Sequence, residues 1–327
     1  MAKHKVAITD FNVADINIEK AILEPLGCEI VGPLPGTDAK DQQKLIALVK
    51  DADFVITQFS PVTAPVVEAM QKSKIIVRYG IGVDNVDLKV AAAKKIPVCN
   101  VPDYCIDEVA DHALAMILDL TRRVSANAAL VKSGKWGLAG SLSTLHALSG
   151  MTVGVVGLGR IGREVANRLK PFRCKILVFD PVVDAATVMA AGCTLASLDE
   201  LLRSSDLVTL HCPCNDKTKQ MINLQTLGKM KAGAMLVNTS RGALVKTDDL
   251  IAALQSGHIS AAALDVTDPE PINPDNPLVK MDNVIINSHI ASVSEGAVTR
   301  LRTSVATIVA MAVKGEKLPN IVNGVTQ

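Results

Sequence analysis

Two sets of residues in the second half of the chain have the types and spacing to do chemistry. The first is VGVVGLGRIG at 153–162, a G-x-G-x-x-G run. In such a run Gly157 allows a tight turn, Gly159 lets the backbone approach a pyrophosphate, and Gly162 lets a following helix pack on its strand. The second set is scattered. NTSRG places Arg241 after one apolar run, LDVTDPEP places Asp265, Asp268 and Glu270 after the next, and INSHIAS places His289 after the last. A guanidinium fork can grip the carboxylate and carbonyl oxygens of a 2-oxo acid, an imidazolium can donate a proton, and a carboxylate raises a histidine's pKa. Together they suit carbonyl reduction beside a dinucleotide. KILVFD ends in Asp180, 18 residues past Gly162, where a carboxylate accepts from an adenosine ribose. No arginine follows in DPVVDAA to receive a 2′-phosphate, so NAD is expected rather than NADP.

These residues need strands that end beside one another. The first half offers VAIT (6–9), EIVG (29–32), FVIT (54–57), IIVRYG (75–80) and PVCNV (97–101), separated by amphipathic stretches, a parallel α/β pattern. DEVADHALAMILDLTRRV (107–124) predicts a long helix with acids in its first turn and arginines in its last. A segment at 133–150 with the single tryptophan reads as an excursion. TVGVVGLG, KILVFD, DLVTLHC, AMLVNTS, AALDV and NVIINS then give six strands of a doubly wound sheet, and the residues after Ser294 predict a final helix.

Composition narrows the partners. With Lys+Arg 34 against Asp+Glu 33 and no long run of one sign, neither nucleic acid nor an anionic membrane surface is indicated. No apolar stretch is expected to reach the roughly 18 residues that span a bilayer, and MAKHKVAITD leads into a strand rather than a signal peptide, so a cytoplasmic protein is expected. The seven cysteines contain no CxxC pair. Cys212 with Cys214, and Cys99 with Cys105, lack zinc-site spacing, so reduced thiols and no metal are expected.

The chain resembles the D-isomer-specific 2-hydroxyacid dehydrogenases through RYGIGVDNVD, CNVPDYC, VADHALAMIL, GVVGLGRIG, VTLHCP, NTSRG, LDVTDPEP and the final histidine block. The resemblance implies a catalytic arginine at Arg241, a histidine-pairing glutamate at Glu270 and an acid/base histidine at His289. It implies cofactor contacts at Arg160, Ile161, Asp180, Cys212, Pro213, Thr239 and Asp265. A loop offering backbone N–H groups to the substrate carboxylate falls on Tyr79, Gly80 and Ile81. The implied fold is α/β with two doubly wound parallel-sheet domains. A flavodoxin-like substrate domain is built from both chain ends, 1–103 and 291–327. A Rossmann NAD domain covers 104–290, with 125–150 as a dimerisation excursion of a homodimer. The implied activity is NAD-dependent interconversion of a small D-2-hydroxy acid and its 2-oxo acid.

Departures from the family pattern matter too. Ser288 stands where proline usually precedes the histidine, Thr57 stands where phosphoglycerate dehydrogenases commonly carry arginine, and no C-terminal regulatory domain is expected. HIASVSE lacks the aromatic pair of the C-terminal-binding proteins. Among the other histidines, His211 is expected to bond backbone near the cofactor and His112 to be packing. His4, His146 and His258 are expected to be solvated. Two alternatives stand beside the enzyme: an NAD(H)-sensing, corepressor-like binding protein, and a phosphite dehydrogenase.

Overall fold

The structure is a computed structural model that describes residues 4–11 and 15–326. The chain divides into two compact units, one of residues up to Tyr104 together with those from Ser294 onward, the other Cys105–Val293. Residues 1–3, 12–14 and 327 of the first expected domain lie outside the described residues.

The first unit holds five parallel strands: β1 (His4–Ile8), β2 (Cys28–Val31), β3 (Phe54–Thr57), β4 (Ile76–Arg78) and β5 (Val98–Cys99), in the order β2-β1-β3-β4-β5. That is the flavodoxin-like order of a doubly wound sheet. β3 is buried along its whole length, as a central parallel strand covered on both faces must be. The C-terminal residues complete this unit. Val322 donates its N–H to the Val98 carbonyl (2.9 Å), and the Asn323 side chain accepts from Val98 N (3.1 Å).

The helix Glu295–Lys314 corrects one expectation. By length and composition it could cross a membrane. Its apolar residues are instead engaged within the unit: Leu301, Val305, Ala306, Ile308 and Val309 are buried, and the helix packs on the helix Asn17–Leu23 and on β4.

The second unit holds seven parallel strands rather than the six expected: β6 (Thr152–Val156), β7 (Lys175–Phe179), β8 (Thr194–Leu195), β9 (Leu207–Leu210), β10 (Ala234–Asn238), β11 (Ile259–Leu264) and β12 (Val284–Ile286). The order β12-β11-β10-β9-β6-β7-β8 is that of a Rossmann sheet, reversing direction between β6 and β9. The strand missed is β8, two exposed residues at an edge, too short to carry a periodic signal. The core on one face joins Ala110, Ala113 and Ile117 of the helix Ile106–Arg122 to Ala261 and Ala263 of β11. Small residues on both sides let that helix lie close to the strand. Within 125–150 a helix runs over Val124–Lys132 with no buried residue, and Trp136 beyond it is 93% exposed.

Candidate active site

β10, β11 and β12 are adjacent and parallel, so the loops after them, carrying Arg241, Glu270 and His289, leave the same edge of the sheet. Backbone packing ties these loops together. Asn238, fully buried at the end of β10, donates Nδ2 to the Arg241 carbonyl (2.8 Å) and accepts Ser240 N–H (3.0 Å). At Gly242 a Cβ would stand 2.0 Å from the Thr267 carbonyl, so a side chain there would push the arginine loop off the neighbouring one. Neither Asn238 nor Gly242 was assigned a role from sequence. An Asx-turn at a strand end is the signal that could have found the first.

The three acids after β11 separate by task. Asp265, 1% exposed, accepts Ile290 N–H on Oδ1 and Ala291 N–H on Oδ2, both at 2.9 Å, while its carbonyl accepts His289 N–H at 2.8 Å. These bonds hold His289 at φ 56, a left-handed state uncommon for a residue with a Cβ. The turn is therefore fixed from Asp265, without a proline at position 288. Asp268 contributes its carbonyl, which accepts from the Thr247 hydroxyl (3.0 Å). Glu270 reaches the histidine: its Oε1 lies 2.6 Å from His289 Nδ1. Beside a carboxylate acceptor, Nδ1 carries the proton and donates, leaving Nε2 on the other side of the ring. Both side chains stay partly open to solvent, so the pair can meet a reactant but adds little to stability. Arg241 is half-buried, with one Nη donating to the Ser240 carbonyl (2.7 Å).

His112 was expected to be packing. Its Nε2 instead faces Asp265 Oδ1 at 3.6 Å from the helix Ile106–Arg122.

The glycine loop can be tested for fit to a dinucleotide. Gly157 has φ +95, and a Cβ on it would fall 2.7 Å from Cys212 N. At Gly162 a Cβ would meet the Gly157 carbonyl at 2.0 Å, whereas at Gly159 it would meet nothing within 4 Å. The loop is thus closed against the protein at two glycines and open at the third, which caps the helix Arg160–Leu169 without any side-chain cap. The first N–H groups of that helix, from Arg160 and Ile161, face that opening with the positive end of the helix dipole. Asp180, just after β7, accepts Leu158 N–H on Oδ2 (2.8 Å) and Val182 N–H on Oδ1 (2.8 Å). It therefore braces the glycine loop from the end of the neighbouring strand. After β10, Thr239 is nearly buried, and its hydroxyl has no hydrogen-bond partner among the described residues, a polar atom ready for a ligand. Cys212 and the exposed Pro213 follow β9. Burial pushes the Cys212 thiol up to about 11, so it is a neutral lining group rather than a nucleophile. These residues fit a dinucleotide.

His211 departs from expectation. Its Nε2 pairs with the Thr209 hydroxyl (2.8 Å), not with backbone, and its Nδ1 is buried without a partner among the described residues. Burial pushes its pKa down to about 4. A histidine whose folded value lies below the unfolded one, near ~6.5, binds its proton less well when folded. The neutral form's contribution is therefore complete above about pH 6.5 and is lost as pH falls towards 4. The ring is only half-buried by area, so the loss is smaller than the roughly 3 kcal/mol the full shift implies. His211→Gln should flatten this acid slope in a plot of Tm against pH, and an unchanged slope would contradict it. The remaining histidines are not simply solvated. His4 stacks edge-on against Phe54, His258 Nε2 pairs with the Leu227 carbonyl (3.0 Å), and His146 is half-buried.

Tyr79, Gly80 and Ile81 belong to the other unit, directly after β4. Two of their three N–H groups are already used: Tyr79 N donates to the Thr57 carbonyl (2.8 Å) and Gly80 N to the Arg78 carbonyl (2.9 Å). The N–H of Ile81 has no partner among the described residues, while its carbonyl accepts from Asn100 Nδ2 (2.6 Å). The expected trio of backbone donors is reduced to one. The cysteines are all free thiols. Among the described residues no group of three or more His, Cys, Asp or Glu side chains could hold a metal ion.

Residues 114–291 match the model of the D-isomer specific 2-hydroxyacid dehydrogenase, NAD binding domain. A glyoxylate reductase from Korarchaeum cryptofilum is 39% identical over 282 residues, 85% of each chain. The chain belongs to the D-isomer-specific 2-hydroxyacid dehydrogenase family. A D-3-phosphoglycerate dehydrogenase from Mycobacterium tuberculosis is 38% identical to this family member over 287 residues, 88% of this chain and 54% of that one. The chain thus spans about half the length of the phosphoglycerate dehydrogenases it matches. Among solved structures, D-lactate dehydrogenase from Aquifex aeolicus, complexed with NAD and lactic acid, superposes with a TM-score of 0.85 at 32% identity, covering 95% of this chain and 96% of that one.

Proposed function

We propose that the chain is an oxidoreductase interconverting a small D-2-hydroxy acid and its 2-oxo acid. His289 is its acid/base, Glu270 favours the protonated imidazole, and Arg241 binds the carboxylate and carbonyl oxygens. The 2.6 Å contact between Glu270 and His289 carries this reading. A protein that only senses NAD(H) has no use for a carboxylate holding an imidazole in one tautomer on the strand ends beside an arginine. NAD(H), when bound along 157–162 and against Asp180, supplies or accepts the hydride. In the reductive direction His289 Nε2 donates a proton to the carbonyl oxygen as it becomes a hydroxyl, and Glu270 stabilises the imidazolium that has the proton to give. In the oxidative direction the neutral ring takes that proton back. The Arg241 fork orients the acid by two oxygens. The N–H of Ile81 is assigned to the substrate carboxylate and Thr239 to the cofactor. Asp265, implied by the resemblance as a cofactor contact, has both carboxylate oxygens on the Ile290 and Ala291 N–H groups and is assigned instead to holding the histidine turn.

Thr57 is fully buried with its hydroxyl accepting from Thr9 (2.9 Å), so position 57 itself offers no cation. The cation at this edge of the sheet is Arg78, whose Nε donates to the Gln58 carbonyl (3.2 Å) and whose guanidinium lies over the Phe59 ring. A small 2-oxo acid of the glyoxylate kind is the reading the residue at position 57 supports. We assign 1–103 and 291–327 to the substrate domain and 104–290 to the NAD domain. Residues 125–150, with exposed Trp136 and Leu142, are assigned to a homodimer contact. Sedimentation should then report twice the 34.5 kDa chain mass, and a 34.5 kDa species would remove the dimer.

Replacing Glu270 with glutamine tests the acid/base assignment. The substitution keeps the shape and removes the carboxylate that the ring N–H meets. The kcat/KM for reduction should fall by about 10- to 100-fold while NADH binding is retained. An undiminished kcat/KM would deny the pairing a role in proton transfer.

A further inference from the structure

Within the first unit, a buried ion pair stands directly behind the Tyr79–Ile81 loop. Glu19, on the helix Asn17–Leu23, is fully buried. Its Oε1 accepts the Tyr79 hydroxyl (3.0 Å) and Arg302 Nε (3.0 Å), and its Oε2 accepts Arg302 Nη2 (2.7 Å). Arg302, on the helix Glu295–Lys314, is 8% exposed and also donates to the Asp15 carbonyl (2.8 Å) and carboxylate (3.1 Å). Its guanidinium lies over the Phe11 ring at 5.1 Å, and that ring contacts Tyr79 at 5.5 Å. One carboxylate therefore ties the helix Asn17–Leu23, the C-terminal helix and the residue following β4 to one another.

Charged groups out of water are expensive unless geometry and partners are nearly complete, so a fold gains little stability from such a pair compared with apolar packing. Its effect is to specify position. Tyr79 is 2% exposed, and its hydroxyl is held well above the usual phenol range by burial and by the Glu19 carboxylate, so it remains a donor. The backbone next to it has little freedom. Gly80 sits at φ +146, where a Cβ would overlap Arg78 Nη1. Its carbonyl accepts Val101 N–H (3.0 Å). The Ile81 carbonyl is fixed by Asn100. The one N–H left for a ligand is therefore aimed by a loop whose first side chain is anchored on Glu19.

We propose that Glu19, braced by Arg302 and acting through the Tyr79 hydroxyl, is a positioning residue for substrate: it sets the place of the Ile81 N–H that receives the acid's carboxylate. This rests on the reading of residues 79–81 as the substrate-carboxylate loop. Glu19 touches no reactant, and its influence falls on substrate affinity rather than on proton transfer.

The test uses the full chain, with steady-state reduction of glyoxylate by NADH, NADH binding by fluorescence titration, and Tm for each variant. Tyr79→Phe removes one hydroxyl from a buried ring and leaves the Glu19–Arg302 pair intact, so it should fold. We expect KM for glyoxylate to rise by about 3- to 10-fold, the size of one lost or misplaced hydrogen bond, with kcat and NADH affinity changed less than twofold. Glu19→Gln should raise KM at least as much with a lower Tm. Should Glu19→Gln fail to fold, Tyr79→Phe alone decides. A role confined to stability would lower Tm and leave KM unmoved in both variants, and that result overturns the proposal. Gly80→Ala separates the two claims, since it distorts the loop directly. If Gly80→Ala raises KM and Tyr79→Phe does not, the Glu19 proposal falls while the loop reading stands. If neither raises it, both fall.

Discussion

Reduction of a 2-oxo acid by His289→Ala should be slower than wild type by about 10²- to 10⁴-fold in kcat/KM, at every pH between roughly 5 and 9. The alanine has no proton to deliver, so no pH restores it. A 10³-fold loss corresponds to about 4 kcal/mol of transition-state stabilisation. Alanine is also poorly suited to φ 56, so a second variant is needed to separate chemistry from the turn. Asparagine tolerates that backbone and donates no proton of comparable acidity, so His289→Asn should be as slow while keeping the Tm of the wild type. Binding of NADH should be retained in both. Full activity in either variant would remove His289 from the proton step.

The second large effect is expected from Arg241→Lys. Lysine keeps the charge but supplies a single ammonium where the planar fork can bond two oxygens at once, so kcat/KM should fall by at least ~100-fold, about 2.7 kcal/mol. The backbone of the loop should survive, because it is held by Asn238 on the Arg241 carbonyl and by the close approach of Gly242 to Thr267, neither of which uses the guanidinium. The Tm should therefore change far less than the rate. Near-normal turnover by the lysine variant would take Arg241 out of the substrate site.

Much of this was legible in the sequence where a local signal coincides with a structural requirement. The glycine run was, since a turn at φ +95 and a helix pressed onto the Gly157 carbonyl can be built from few other residues. The strand-end placement of Arg241, Glu270 and His289 followed from apolar runs that end abruptly in polar residues. What stayed hidden depends on distance in three dimensions. The family resemblance pointed to Glu270 as the acid that pairs with the histidine, but it gave Asp265 only a cofactor contact; that Asp265 holds the histidine turn depends on which oxygens meet Ile290, Ala291 and His289. The occupation of the Tyr79 and Gly80 N–H groups was equally invisible, because a motif records residue types and not where their backbone bonds go. His112 looked like a helix-core residue because Asp265, its neighbour in space, is 153 positions away in the chain. β8, two residues long, was below any periodic signal.

The most direct measurement of the account is NADH oxidation by the purified chain with glyoxylate, hydroxypyruvate and pyruvate in turn, each repeated with NADPH. The expected result is multiple-turnover loss of NADH with at least one of these acids, formation of the matching 2-hydroxy acid (the D isomer where the product is chiral), and a slower reaction with NADPH, as Asp180 and the absence of a following arginine imply. Tight NADH binding with no turnover on any 2-oxo acid would contradict the enzyme reading and leave a nucleotide sensor in its place.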